Sequence, residues 1–159
     1  MDYSQWFHKQ LQASAEGFKW GAELVPAARR YRTPPPALGE WNAARHIFHM
    51  LYYERTIALP SMQQWLGSPC PSTEDLDEDA AWQLVEDDFA ALLTSFEEVR
   101  AEQIALLTQF DPDLWTARRE SGWGQVTLLW VVSKTFQHTA EHTHDVMRLA
   151  LFWDAFEGG

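Results

Sequence analysis

Two histidines near the end of the chain have the spacing of a metal-binding pair. His138 and His142 are four residues apart within a long apolar stretch. In an α-helix, residues at this spacing lie one turn apart on the same face, so both imidazole rings can reach one ion. Helices that present two histidines in this way are a known source of ligands for transition metals. Two ligands do not complete a site, so a third must come from another part of the chain.

The third ligand has two candidates earlier in the sequence. His46 and His49 are three residues apart and share one face of a predicted helix, so periodicity hardly separates them. His49 lies between two apolar residues, whereas His46 follows Arg45, and this pattern modestly favours His49. We expect His8 and His144 to face solvent, since His144 follows the second ligand of the pair by about 200° around the helix. The competing interpretation is that the histidines are ordinary core residues, hydrogen-bonded to backbone or carboxylate groups.

Helices must position these rings, because apolar residues recur at spacings of three and four along four long stretches. The predicted helices cover about residues 3–25, 40–66, 77–110 and 127–156. Pro60 should kink or interrupt the second helix, and Thr127 is a suitable N-cap for the fourth. We find no strand-like alternation of useful length. The sequence therefore predicts an all-α four-helix bundle, a single domain over residues 1–159, with its site between facing helices.

The connections between the predicted helices are rich in breakers. Pro34, Pro35 and Pro36 cannot continue a helix and favour an extended segment. Residues 67–78 are acidic and poor in apolar side chains, which is typical of a loop. At about twelve residues, this loop is long enough to cross the end of a bundle. Loop length alone therefore does not fix the direction of each helix.

Composition excludes several classes of protein. The net charge of −11, with only 12 Lys and Arg residues, argues against a nucleic-acid binder. The single cysteine, Cys70, precludes an intramolecular disulfide and fits a reducing compartment. The start of the chain lacks the features of a signal peptide, and no apolar run reaches the roughly 18 residues of a membrane span. We expect a soluble, cytoplasmic protein without a membrane partner, whose nine Trp and nine Phe residues build either an aromatic core or a homodimer interface.

The residues around the candidate ligands also resemble a known family. The segment from Trp41 to Glu54 reads Trp-Asn-Ala-Ala-Arg-His-Ile-Phe-His-Met-Leu-Tyr-Tyr-Glu. It is similar to the second-helix signature of the DinB-like (DinB/YfiT) superfamily, in which a Trp precedes a metal-binding His by eight residues and an acidic residue follows it by five. The pair at His138 and His142 resembles the remaining two ligands of that family. The likeness extends over nearly the whole chain in the order and separation of its helices.

The resemblance implies a site of three histidines, His49, His138 and His142, in a bundle with a long cross-connection between helices two and three. Such a site leaves an open coordination position on zinc or nickel, as catalytic metal sites do. The chain departs from the family where Asp145 replaces a common Gln and where an additional histidine precedes Asp145. The surroundings of the site are therefore expected to differ from those of other members.

The family resemblance further implies an enzyme that acts on a small molecule. The ion would activate either water, in a hydrolase, or a low-molecular-weight thiol, in a transferase. Glu54, which matches the family motif, and Glu141 are the candidates for supporting the ligands or transferring protons. Trp41, Tyr52 and Tyr53 are candidates for the pocket lining, although aromatic residues at helical spacing also form cores. The alternatives are a metal-binding or ligand-binding bundle without turnover and a purely structural homodimer.

Overall fold

Four long helices form the framework of the molecule and bring the candidate ligands together. The computed structural model describes residues 2–157. Its helices and strands are α1 (Tyr3–Glu23), α2 (Ala43–Tyr53), α3 (Leu59–Gln63), α4 (Glu78–Trp82), α5 (Phe89–Leu106), β1 (Arg118–Ser121), β2 (Gly124–Thr127) and α6 (Leu128–Phe156). The four framework helices are α1, α2, α5 and α6, so the predicted four-helix bundle is confirmed.

Side-chain contacts fix the direction of each helix. Lys19 pairs with Glu97 at 2.8 Å, and the Ser4 hydroxyl donates to the Leu107 carbonyl, so α1 and α5 are antiparallel. A Cβ atom on Gly21, near the end of α1, would meet residues 143–147 in the second half of α6, so α1 and α6 run in the same direction. Helices α2 and α6 are antiparallel, because His46 contacts His142 whereas His49 contacts His138. Helices α2 and α5 are therefore parallel, and the chain between them must cross the bundle, as the family resemblance implied.

Short polar side chains define where the helices begin. The residue before each of five helices accepts a hydrogen bond from a backbone N–H three residues later, which satisfies one of the unpaired donors of the first turn. These N-caps are Asp2, Asn42, Asp77, Asp88 and Thr127. The predicted start of the fourth helix at Thr127 is thus confirmed. The cap at Asn42 fixes the first turn of the helix that carries His46 and His49.

The second predicted helix is interrupted where its proline indicated. After α2, residues Glu54–Ala58 form a π-helical turn, in which the Leu59 N–H bonds to the carbonyl of Glu54. Pro60 follows directly and has no N–H to offer to an α-helical ladder. Helix α3 and a 3₁₀ turn at Gln64–Leu66 then complete this helical arm, which comprises residues 43–66. Wide turns of this kind occur often at functional sites, and this one lies one turn beyond His49.

Two elements differ from the sequence prediction. The third helix is not continuous, because the chain leaves the helix after Trp82 and starts a new one at Asp88. Glu86 and Asp87 lie in the segment between the two helices, although the apolar repeat of Trp82, Val85 and Phe89 continues across it. The expectation that the chain has no strands is wrong, since Arg118–Ser121 pairs antiparallel with Gly124–Thr127. Each strand has only four residues, too few for alternation to be recognised.

The apolar core consists of two clusters separated by polar side chains. One cluster lies around Phe18 and Phe96, and the other around Trp65 and Trp115. Gly21 allows α1 and α6 to approach closely, because a Cβ there would lie 3.2 Å from side chains of α6. Within residues 2–157, no helix is long and apolar enough to cross a membrane.

Candidate metal centre

Three imidazole nitrogens from α2 and α6 converge between the helices. The Nε2 atom of His138 lies 3.1 Å from Nε2 of His49 and 3.2 Å from Nε2 of His142. One ring nitrogen from each of the three residues lies within 4.8 Å of the others. Ligands about 2.0–2.1 Å from a tetrahedral zinc ion are separated by about 3.3–3.4 Å. The observed nitrogen–nitrogen distances are therefore close to the distances between ligands of a tetrahedral metal ion.

The rings of His138 and His142 are held in the neutral form that binds metal. Burial, together with the neighbouring rings, lowers the pKa of His138 to about 3. The same causes lower the pKa of His142 to about 4, burial being the larger. A neutral imidazole carries one N–H and one lone pair, and the lone pair is the metal ligand. Which nitrogen carries the proton depends on the partner of the other ring nitrogen.

Glu78 supplies that partner for His49. Its two carboxylate oxygens lie 2.9 and 3.0 Å from Nδ1 of His49. The Nδ1–H group donates to the carboxylate, which leaves the Nε2 lone pair facing His138. Nη2 of Arg45 also pairs with this carboxylate, 3.0 Å from Oε1. This carboxylate–histidine pair is the arrangement that orients histidine ligands in metalloproteins.

Removing the Glu78 carboxylate should therefore weaken metal binding. We expect Glu78→Gln to lower the affinity for zinc about 10-fold to 100-fold, because the His49 ring loses its orientation and basicity. Competition with a chromophoric chelator measures this change. Asp79→Asn is the matched control, since Asp79 also pairs with Arg45 but does not contact His49. Equal affinities of the Glu78→Gln variant and the native protein would exclude this role.

His46 provides the corresponding partner for His142. The two Nδ1 atoms lie 2.9 Å apart, so one of them donates a proton to the other. Burial is the main cause that lowers the pKa of His46 to about 3, and the ring is neutral. When His142 is the donor, its Nε2 lone pair faces the other two rings. Asp145 lies 3.6 Å from the same nitrogen of His142.

Aromatic rings flank the three histidines. The Trp41 ring lies 4.9 Å from His49 and 6.1 Å from His142, measured between ring centroids. The Tyr53 ring meets the His138 ring at 4.3 Å in an edge-to-face arrangement. Trp41 and Tyr53 therefore flank the histidine rings, whereas Tyr52, the third aromatic predicted for the pocket lining, packs against Phe48 instead.

The donor set fits a cation better than it fits hydrogen bonding alone. When His49 and His142 each donate their Nδ1 proton, Nε2 of His138 lies within hydrogen-bond distance of two lone pairs, one on His49 and one on His142. A single proton on His138 can satisfy only one of them. A divalent ion at this point interacts with all three nitrogens. The residues present thus fit a divalent metal ion.

The two predicted acidic residues lie away from the three nitrogens. Glu54 is fully buried, and both of its oxygens pair with Arg100. Burial raises the pKa of the Glu54 carboxyl, and the Arg100 guanidinium opposes this shift. Glu141 is exposed on α6 and accepts a hydrogen bond from Gln137 at 2.8 Å. Within residues 2–157, neither carboxylate forms a hydrogen bond to the histidine cluster.

Sequence reasoning missed Glu78 and the bond between His46 and His142. Glu78 is the last residue of the acidic segment 67–78 that was predicted to be a loop, and nothing in its spacing connects it with His49. His46 was the less favoured of the two candidates for the third ligand, and it contacts His142 of the same cluster. His8 and His144 are exposed, as predicted.

Comparison with known proteins agrees with this arrangement. No curated protein sequence matches the chain significantly. The solved structure of YfiT from Bacillus subtilis, described as a probable metal-dependent hydrolase with an unusual four-helix bundle topology, matches with a TM-score of 0.72. The match has 18% sequence identity and covers 92% of this chain and 85% of that one, which shows a shared fold. The sequence model of the DinB superfamily matches residues 11–146, and the chain therefore belongs to the DinB superfamily.

Proposed function

We propose that this protein is a metal-dependent hydrolase of small molecules, with His49, His138 and His142 holding a zinc or nickel ion. The convergence of three imidazole nitrogens between α2 and α6 is the observation that carries the proposal. The description of YfiT as a probable metal-dependent hydrolase supports the same assignment. Three protein ligands are typical of catalytic zinc sites, whereas structural sites use four.

The residues around the ligands have separate tasks. An ion bound by three imidazoles supplies Lewis-acid chemistry, lowering the pKa of a coordinated water and polarising a carbonyl group. Glu78 and His46 orient two of the ligand rings through their Nδ1 atoms. Trp41 and Tyr53 exclude water around the nitrogens, which strengthens electrostatic interactions within the site.

The roles of Glu54 and Glu141 in proton transfer stay predictions. Glu141 precedes His142 directly and is exposed, so its carboxylate can exchange protons with solvent. Glu54 is held by Arg100, and we propose that it supports the site by fixing α2 against α5. Comparing the turnover of Glu141→Gln and Glu54→Gln with that of the native protein tests both assignments.

Hydrolysis assays on protein with a defined metal content test the proposal. The protein is purified without a nickel column, stripped with chelator, and reloaded with one equivalent of zinc or nickel. We expect hydrolysis of members of an ester and amide panel by the loaded protein only, because the stripped protein lacks the Lewis acid. Turnover that is unchanged by chelation, or that survives in a His138→Ala variant, would contradict the proposal.

The other sequence-based options also stay predictions. A thiol-transfer screen with low-molecular-weight thiols tests the transferase alternative. Light scattering on the purified protein tests the homodimer that the aromatic content suggested. A metal-loaded protein without turnover in either screen would instead fit a binding bundle. Cytoplasmic location is likewise a prediction from the sequence.

A further inference from the structure

A stripe of side chains leads from the candidate metal centre to a separate cavity. His49, Tyr53, Ile57 and Ser61 follow one another at intervals of four residues along α2, the π turn and α3. In a regular α-helix such a stripe drifts by about 40° per step. The π turn accommodates an extra residue in its turn, which offsets this drift. The four residues therefore lie along one side of the arm.

The cavity has a volume of about 200 Å³ and lies beyond the Tyr53 ring. Three parts of the chain form its walls, namely the helical stripe, the loop before α4 and the tip of the β-hairpin. The lining residues are Tyr53, Ile57, Ser61, Pro71, Thr73, Gly122 and Trp123. Tyr53 is shared between the cavity and the metal centre, because its ring also contacts His138 at 4.3 Å between centroids. A molecule in the cavity is therefore separated from the ligands by one aromatic ring.

The lining selects for an uncharged group. No charged side chain is among the residues that line this cavity, and four of the seven are apolar or aromatic side chains. A second cavity, on the Trp41 side of the histidines, is instead lined by Arg45 and a run of acidic residues. Cavities of about 150 Å³ lined by apolar residues hold a benzene ring. The space beside Tyr53 therefore suits one ring with a small substituent.

Ser61 gives the cavity a polar contact. Its side chain is buried, with 1% of its surface exposed. Ser61 is one of the residues that line the cavity. A serine hydroxyl can both donate and accept a hydrogen bond. A ligand with one hydroxyl or carbonyl oxygen can therefore form a hydrogen bond with Ser61 from within the cavity.

We propose that this cavity binds an uncharged, ring-sized, phenol-like group of the substrate, with Ser61 as its hydrogen-bond partner and Trp123 as its outer wall. The inference rests on the proposed function, because it treats the cavity as part of the site around His138. A substrate held in this way directs the rest of its structure past Tyr53 toward the histidines. The substrates that this cavity fits are neutral compounds that carry one small aromatic ring.

Binding of 4-methylphenol to the chelator-stripped protein tests this proposal by NMR. We expect saturable binding, contacts from the probe methyl group to Ile57 and Tyr53, and shifts of the Gly122 and Trp123 amides. Ser61→Ala should weaken the binding of 4-methylphenol about threefold to tenfold and leave that of toluene unchanged, because only the phenol can hydrogen-bond to the hydroxyl. Trp123→Ala should weaken both probes about threefold to tenfold, since it removes an aromatic contact.

Ser68→Ala is the matched control, because Ser68 is exposed and does not line the cavity. Its affinity for both probes should equal that of the native protein. Probe contacts at another position, such as the cavity between α1 and α5, would overturn the proposal. Equal loss of both probes in Ser61→Ala would overturn the role of its hydroxyl. The measurement needs no metal, so a failed metal site and a failed cavity give different results.

Discussion

Replacing His138 by alanine is expected to abolish stoichiometric metal binding. Its Nε2 atom is the one that lies near both other ligands, at 3.1 and 3.2 Å. Losing it leaves two imidazoles on different helices, so we expect affinity for zinc to fall by at least about 100-fold. Elemental analysis of protein purified without a nickel column, followed by calorimetric titration with zinc, measures the change.

His144→Ala is the control for that variant. His144 is exposed on the same helix, so its removal changes the histidine count without changing the candidate site. We expect native metal content in this variant. Full metal content in both His138→Ala and His49→Ala would show that the ion lies elsewhere or is not bound.

The second large effect is expected in the buried ion pair beneath the site. Arg100 has 2% of its side chain exposed, and it donates to Glu54, to the Leu11 carbonyl and to the hydroxyls of Ser14 and Thr139. Replacing it by methionine leaves the Glu54 charge buried without a partner. We expect Arg100→Met to lower the free energy of unfolding by about 3–5 kcal/mol, measured by urea denaturation.

The loss in Arg100→Met should depend on pH. Without its partner, the Glu54 carboxyl in the folded state has a pKa raised by burial above that of the unfolded chain. A carboxyl group whose pKa is raised on folding stabilises the folded state at low pH, where it is protonated. This stabilisation is lost as the pH rises through the folded-state pKa. The deficit should therefore be smaller at about pH 5 than at about pH 8. A deficit that does not change with pH would mean that Glu54 stays ionised or gains another partner.

Two further variants isolate the contribution of burial. Combining Arg100→Met with Glu54→Leu should recover part of the lost stability, because apolar side chains of similar size replace the buried charges. Lys19→Met breaks the ion pair with Glu97, which is exposed, and should change stability little. An equal loss in Lys19→Met and Arg100→Met would contradict the explanation by desolvation.

The sequence predicted the parts of the fold that depend on local periodicity. Helix α6 begins after its predicted cap at Thr127, and the interruption near Pro60 is present. The hairpin at residues 118–127 was missed, because strands of four residues carry too little pattern. The break before Asp88 was missed because the apolar repeat continues across it.

The candidate site likewise divides into residues that a local sequence pattern indicates and residues that only the folded structure brings together. The family resemblance named three histidines, and the structure brings nitrogens from all three together. Glu78 was missed because its position beside His49 depends on where the cross-connection passes, which no local pattern encodes. The cavity at Ser61 was missed for the same reason, since its walls come from three separate segments.

The cross-connection between the parallel helices α2 and α5 lies inside a longer loop, the one between His49 on α2 and His138 on α6. His49 and His138 are 89 residues apart in sequence, so a shared ion would close a loop of more than half the chain. Such closure resembles a long disulfide loop, because it restricts an unfolded ensemble that otherwise samples wide separations. Contacts this distant form late and slow the search for the native topology. An ion that binds only after the cross-connection between α2 and α5 has formed would add its binding free energy to the stability of the folded bundle.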